Sequence, residues 1–211
     1  MKSLLLDFQG VALMLVLAVV VYFGGGHFGA QFLALMLVFL IASVVATKYG
    51  FEDKREWGIY EHERSWENVL ANGLIPAACA LFSPSLGIGA YLGSLAAITA
   101  DKFGSELGVL SSDPISLFTF KTVKRGTSGA MSVFGTLMSF DGALLIGASA
   151  FFLFPSRIDA WKIVLIALIG FAGSIVDSIF GVLEERGIGT KATTNIICAM
   201  TGAILGFLLL S

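Results

Sequence analysis

Seven runs of apolar residues, each almost free of charge, set the limits on what this chain can become. They lie at roughly 5–23, 29–47, 69–83, 87–100, 128–153, 162–183 and 192–210. An α-helix rises about 1.5 Å per residue, so about 20 such residues cross a hydrocarbon core about 30 Å thick. Inside that core no water is present to satisfy backbone N–H and C=O groups, which leaves helices or closed barrels as spanning structures. Runs of this length predict helices. The expected fold is all-α, a polytopic integral membrane helical bundle of about seven transmembrane helices, with residues 1–211 forming a single transmembrane domain. Composition points the same way: charged residues are 13% of the chain and hydrophobic residues 56%, whereas a soluble domain is about 25% charged. A net charge of −2 offers no basic field for nucleic acid, which is excluded as a partner. Cys79 and Cys198 sit inside apolar runs and are expected to be small core residues. Lys2 leads into the first run with no small-residue cleavage site behind it. The run is therefore taken as a first span rather than a cleaved signal peptide.

Basic residues set the orientation, because lysine and arginine concentrate in cytoplasmic loops. With a cytoplasmic N-terminus and seven spans, that side carries Lys2, Lys48, Lys54, Arg55, Arg64, Lys102, Lys121, Lys124, Arg125, Arg186 and Lys191. Arg157 and Lys162 fall opposite, so the split is eleven against two for all 13 basic residues. The first two spans are joined by Gly24-Gly25-Gly26-His27, and the third and fourth by Ser83-Pro84-Ser85, where proline cannot continue a helix. Spans 69–83 and 87–100 are short for a bilayer and need shelter inside the bundle. Loop 48–68 is rich in both charges and accommodates a short amphipathic helix; loop 101–127 has an acidic start, an apolar middle and a basic end. Many of the 25 glycines lie within spans, where small residues let helices approach closely.

Ionisable and amide side chains inside such a bundle are costly and mark protein interiors or aqueous cavities. Asp101 ends the fourth run and opens A-D-K-F-G-S-E-L-G. Ser105 stands four residues on, on the same helical face, and Glu106 follows it, able to join if the helix frays. Asp177 lies well inside the sixth run, within G-S-I-V-D-S-I-F-G. Asn68 and Asn72, four apart, open the third run, and Asn195 opens the last. In the proposed topology all of these face the cytoplasmic side, and such a gathering of carboxylate and amide oxygens suits a hard divalent cation. The plainer alternatives are an interhelical hydrogen bond for Asp177 and the asparagines, and an interfacial helix end for Asp101. A second group is Lys121, Lys124 and Arg125, followed by Gly126-Thr127-Ser128-Gly129 just before the fifth run. Basic side chains, a small flexible turn and a helix N-terminus favour phosphate. The alternative is ordinary juxtamembrane charge, and the spacing is not that of a P-loop. Asp141 falls midway through the fifth run, far from these groups. No G-x-S-x-G, H-E-x-x-H or Cys–His pairing occurs, and His27 and His62 lie outside the spans. Phosphoryl transfer, which needs positioning and charge neutralisation rather than a protein nucleophile, fits that inventory.

At these residues the chain resembles the integral membrane group known as domain of unknown function 92, which includes vertebrate transmembrane protein 19 and plant phytyl-phosphate kinase. The resemblance rests on R-S-W-E-N-V-L-A-N-G (Arg64 to Gly73), A-D-K-F-G-S-E-L-G (Ala100 to Gly108), K-R-G-T-S-G-A-M-S-V-F-G-T (Lys124 to Thr136) and G-S-I-V-D-S-I-F-G (Gly173 to Gly181). T-N-I-I-C-A-M-T-G-A (Thr194 to Ala203) is a weaker fifth piece. One departure is Lys102-Phe103, where a smaller polar residue and an aromatic are expected.

The resemblance implies a Mg2+-dependent kinase that moves a phosphoryl group from a nucleoside triphosphate, CTP or ATP, to an isoprenyl monophosphate such as phytyl or geranylgeranyl phosphate. Carried onto this chain, it implies that Asp101, Glu106 and Asp177 hold magnesium. Lys121, Lys124, Arg125 and the backbone of Gly126, Thr127, Ser128 and Gly129 would cradle the nucleotide. Asn68, Asn72 and Ser105 would orient the acceptor phosphate, with Ser178 and Asn195 among the substrate contacts. The active site would be cytoplasmic, and a homo-oligomer is compatible with this reading. Two other functions use the same features: CTP-dependent cytidylyl transfer onto a lipid phosphate, and a membrane transporter with an acidic cation path.

Overall fold

Asp7, which caps the first helix through a 2.6 Å bond from the Gly10 N–H, opens a series of seven long helices among the described residues. The computed structural model describes residues 6–60 and 65–210. Helices α1 (Phe8–Gly24), α2 (Gly29–Lys48), the short α3 (Phe51–Glu56), α4 (Trp66–Leu81) and α5 (Ser83–Gly108) come first. A two-stranded antiparallel ribbon of β1 (Ile115–Ser116) and β2 (Ala130–Met131) follows, then α6 (Val133–Leu153), α7 (Ala160–Glu184) and α8 (Lys191–Leu210). The seven long helices are the expected integral membrane bundle, and α3 is the short helix anticipated in the first charged loop. Helices α6, α7, α8 and α2 with its preceding turn are long and apolar enough to cross a membrane.

The run at 87–100 reads as a short span for a physical reason. It belongs to α5, which packs against α2, α4, α6, α7 and α8, and every residue from Ile88 to Asp101 is buried. A helix covered on all sides by protein need not be uniformly apolar. It therefore carries Ser94, Thr99 and Asp101 at depth, and Tyr91 donates to the Phe32 carbonyl at 2.6 Å. Pro84 stands in the first turn of α5, and the chain breaks helical geometry at Gly87, where φ is 68°.

Small residues make this crowding feasible. Gly89 and Gly93 on α5 face Gly202 and Gly206 on α8, each pair spaced four apart. A Cβ at Gly93 would collide with the Gly202 carbonyl, and one at Gly206 with the Gly89 carbonyl. These two glycine pairs set the α5–α8 separation, as small-xxx-small packing does elsewhere in membranes. Gly202→Leu is therefore expected to cost about 3 kcal/mol or more through overpacking. Thermal unfolding in detergent reads this directly; an unchanged midpoint would show that the helices can part without loss.

Two boundaries differ from expectation. Helix α5 continues to Gly108, so Asp101, Ser105 and Glu106 all stand on unfrayed helix. Helix α6 begins at Val133 rather than 128, with Ser132 as its N-cap accepting the Gly135 N–H at 3.0 Å. Residues 126–129 thus form a turn before β2, not the helix N-terminus itself.

Alternation of the seven helices gathers nine of the described basic residues at one pole: Lys48, Lys54, Arg55, Lys102, Lys121, Lys124, Arg125, Arg186 and Lys191. Arg157 and Lys162 stand at the other, beside the turn holding His27. Lys2, His62 and Arg64 lie outside the described residues.

Candidate functional site

A cavity of about 440 Å3 opens at the basic pole. Helix α5 contributes Asp101, Ser105 and Glu106, α7 contributes Ser174, Asp177 and Ser178, and α8 contributes Lys191 and Asn195. Asn68 from α4 and Ser139 from α6 complete the helical wall, and the turn Gly126 to Gly129 closes one side. Asp101 lies seven residues before the end of α5 and Asp177 seven before the end of α7, about 10 Å below the helix ends at 1.5 Å per residue. Polar floor and acidic wall therefore lie within the bundle, at one end of it.

Asp101 and Asp177 are joined by Lys191. Its Nζ lies 2.7 Å from Asp177 Oδ2 and 3.7 Å from Asp101 Oδ1. Both carboxylates are buried, as is Asn195 beside them. Asp177 Oδ1 and Asn195 Oδ1 have no hydrogen-bond partner. Unsatisfied buried acceptors are few in folded proteins and call for an explanation such as a missing ion. Two carboxylates, an amide oxygen and nearby serine hydroxyls form an all-oxygen donor set, the chemistry that magnesium takes.

Glu106 does not join this pair. It accepts from Thr47 Oγ1 at 2.8 Å and pairs with Lys102 at 2.7 Å and Lys54 at 3.2 Å. Lys54 is 1% exposed and also donates to the carbonyls of Ala46 and Thr47 at the C-terminal end of α2. An ammonium there satisfies orphan carbonyls and complements the helix dipole. Among the described residues no three His, Cys, Asp or Glu side chains gather as a metal site. Of the three carboxylates expected together, Asp101 and Asp177 share one lysine, while Glu106 belongs to an ion network that ties α2, α3 and α5 together.

Lys121, Lys124 and Arg125 also differ from expectation, since none lines the cavity. Lys121 and Lys124 are exposed, and the Arg125 guanidinium stacks 3.9 Å over the Trp57 ring, which anchors the turn to the segment after α3. The turn itself does reach the cavity. Gly129 has φ of 71°, and a Cβ there would meet the Val182 nitrogen at 2.6 Å, so only glycine fits against α7. The Ser128 N–H donates to Glu185 at 2.8 Å and its hydroxyl to Glu184 at 3.1 Å. These donors already hold anionic oxygens. Asn68 lines the cavity, while Asn72 stands behind it, donating to the Asn68 carbonyl at 2.8 Å. Asp141 is exposed on α6 and takes no part.

The family model described as integral membrane protein DUF92 matches residues 1–206. The chain belongs to that family. Its resemblance at the motifs around Asp101, Gly126 and Asp177 is therefore kinship across nearly its whole length. An uncharacterised membrane protein of Methanocaldococcus jannaschii is 40% identical, over 99% of this chain and 87% of its own length. Protein PGR of Arabidopsis thaliana is 34% identical, over 74% of this chain and 65% of the plant protein. An uncharacterised membrane protein of a Synechocystis strain is 30% identical, over 79% of this chain and 67% of its own length. No solved structure matches significantly. Membership of DUF92 makes this an integral, multi-pass membrane protein, in agreement with its apolar helices.

The residue that sequence reasoning missed is Lys191. The sequence places it among the basic residues of the cytoplasmic side, and only the packing of α8 against α5 and α7 carries it to the acids. A lysine beginning a span that holds Asn195, opposite spans holding Asp101 and Asp177, was the available signal.

Proposed function

We propose that this DUF92 protein is a membrane-embedded kinase that transfers a phosphoryl group from a nucleoside triphosphate to an isoprenyl monophosphate, with the basic pole facing the cytoplasm. The observation that carries the reading is the buried Asp101–Asp177 pair, with unpartnered oxygens on Asp177 and Asn195, opening into the same cavity as the Gly126 to Gly129 turn. Asp101, Asp177 and Asn195 would hold Mg2+. When bound, the ion would neutralise charge on the phosphates of donor and acceptor.

The remaining work falls to this chain's own groups. The Ser128 N–H and hydroxyl, now engaged by Glu185 and Glu184, would receive donor phosphate oxygens. Asn68 and Ser105, both on the cavity wall, would orient the acceptor phosphate. In the reaction an oxygen of the lipid phosphate attacks the terminal phosphorus of the donor. The bond from that phosphorus to its bridging oxygen breaks, leaving a nucleoside diphosphate and a lipid diphosphate. No protein nucleophile is required, and catalysis consists of alignment and charge neutralisation.

This arrangement makes the Glu185 carboxylate a competitor for the nucleotide. Glu185→Gln is expected to lower the apparent KM for the nucleotide about threefold, with kcat little changed, as loss of one like-charge contact would. Initial rates against nucleotide concentration measure it, and a raised KM would show that Glu185 supports the turn instead. The enzyme reading itself is tested by γ-labelled nucleotide and an isoprenyl monophosphate. Label in a lipid diphosphate supports kinase chemistry, a base retained on the lipid means cytidylyl transfer, and no transfer with folded protein favours a transporter.

A further inference from the structure

The ammonium of Lys191 lies between Asp101 and Asp177, where a cation shared by the two carboxylates would sit. Its side chain is 43% exposed toward the cavity, whereas those of its two partners are buried. Lys191 is the first residue of α8 and follows a turn in which Gly187 and Gly189 both have positive φ. Only one oxygen of Asp177 is used by the lysine, and Asn195, whose Oδ1 has no hydrogen-bond partner, lines the same cavity. The single ammonium is within hydrogen-bond distance of Asp177 only, with Asp101 at 3.7 Å. Asp101, Asp177 and Asn195 would hold a divalent cation with more charge than one ammonium supplies, and two of their oxygens have no hydrogen-bond partner. The displaced ammonium then remains in a cavity that has become a favourable place for anions.

We propose that Lys191 is an exchangeable counter-ion. It holds the Asp101–Asp177 pair until a divalent cation replaces it, and then turns to phosphate oxygens in the same cavity. The inference rests on the cation site proposed above and assigns that site an order of events: cation first, with the phosphate ligand then gaining a lysine. A fixed structural salt bridge would behave differently, because it would lose folding rather than gain cation affinity when cut.

The test is Mn2+ binding to the purified full chain in detergent, followed by the loss of the free-ion electron paramagnetic resonance signal. Lys191→Gln removes the competing charge and is expected to bind Mn2+ on the order of tenfold more tightly than the unaltered protein. Lys191→Arg, whose guanidinium grips carboxylates through two parallel hydrogen bonds, is expected to bind it more weakly. With Mn2+ present, inorganic pyrophosphate should bind on the order of tenfold less tightly to Lys191→Gln than to the unaltered protein. Equal or weaker Mn2+ affinity in folded Lys191→Gln would overturn the proposal. If that variant does not fold, Mn2+ binding by Lys191→Arg equal to that of the unaltered protein would overturn it instead. Unchanged pyrophosphate affinity would overturn the second step. If Asp177→Asn keeps Mn2+ binding, the cation site itself falls. If the Mn2+ order holds but no nucleotide donates phosphate, the kinase reading fails and the exchange stands.

Discussion

Asp177→Asn is expected to reduce phosphoryl transfer on the order of 10³-fold or more while the protein still inserts and folds. The size follows from what one preorganised charge contributes in a water-poor site. Asparagine keeps the shape of the side chain and its capacity to accept from Lys191, so helix packing around Gly173 and Ser174 is preserved. What disappears is half of the charge that faces the cation. The comparison to make is kcat/KM at saturating Mg2+, alongside the thermal midpoint and elution profile of the purified variant. Retained turnover would remove Asp177 from the site, and lost turnover with lost folding would return it to the structural role.

Glu106→Leu is expected to give the opposite signature, a loss of stability without loss of cation binding. The change takes the Glu106 carboxylate away from the buried Lys54 ammonium. Removing one partner of a buried ion pair typically costs about 3–5 kcal/mol. The double change Lys54→Met with Glu106→Leu should recover part of that, since it takes both charges out of the interior. Thermal unfolding reads the first effect and Mn2+ binding to the folded fraction reads the second. A loss of Mn2+ binding in folded Glu106→Leu would restore Glu106 to the cation site.

The two carboxylates differ because of what surrounds them, and the sequence could show only part of this. That Asp101, Asp177 and Asn195 converge at one pole was legible, because span alternation fixes which helix ends meet. So was the seven-helix bundle, through runs of nearly uncharged residues. The extent of α5 was not. Lys102 reads as a loop charge and Glu106 as a cation ligand, but Glu106 pairs with Lys102 one turn away on the helix and with Lys54, and the helix runs on to Gly108. Gly126 to Gly129 reads as a turn in the sequence and is one, with positive φ at Gly126 and Gly129, but the apolar run from 128 does not show that β2 and the Ser132 cap come before the helix starts at Val133. Lys54 and Lys191 were counted as loop charge, and both are structural or site groups. A hydropathy pattern does not say where a long side chain reaches once a short helix or a helix N-terminus folds back over the bundle. The same limit applies to Arg125, whose stacking on Trp57 requires two loops far apart in sequence to touch.

The most direct test of the account is transfer of the γ-phosphoryl group of CTP or ATP to geranylgeranyl or phytyl monophosphate by the purified protein with Mg2+. The expected result is label in the isoprenyl diphosphate, dependent on Mg2+ and lost in Asp177→Asn. Absence of labelled diphosphate with every nucleotide and both lipids, from protein shown to be folded, would contradict it.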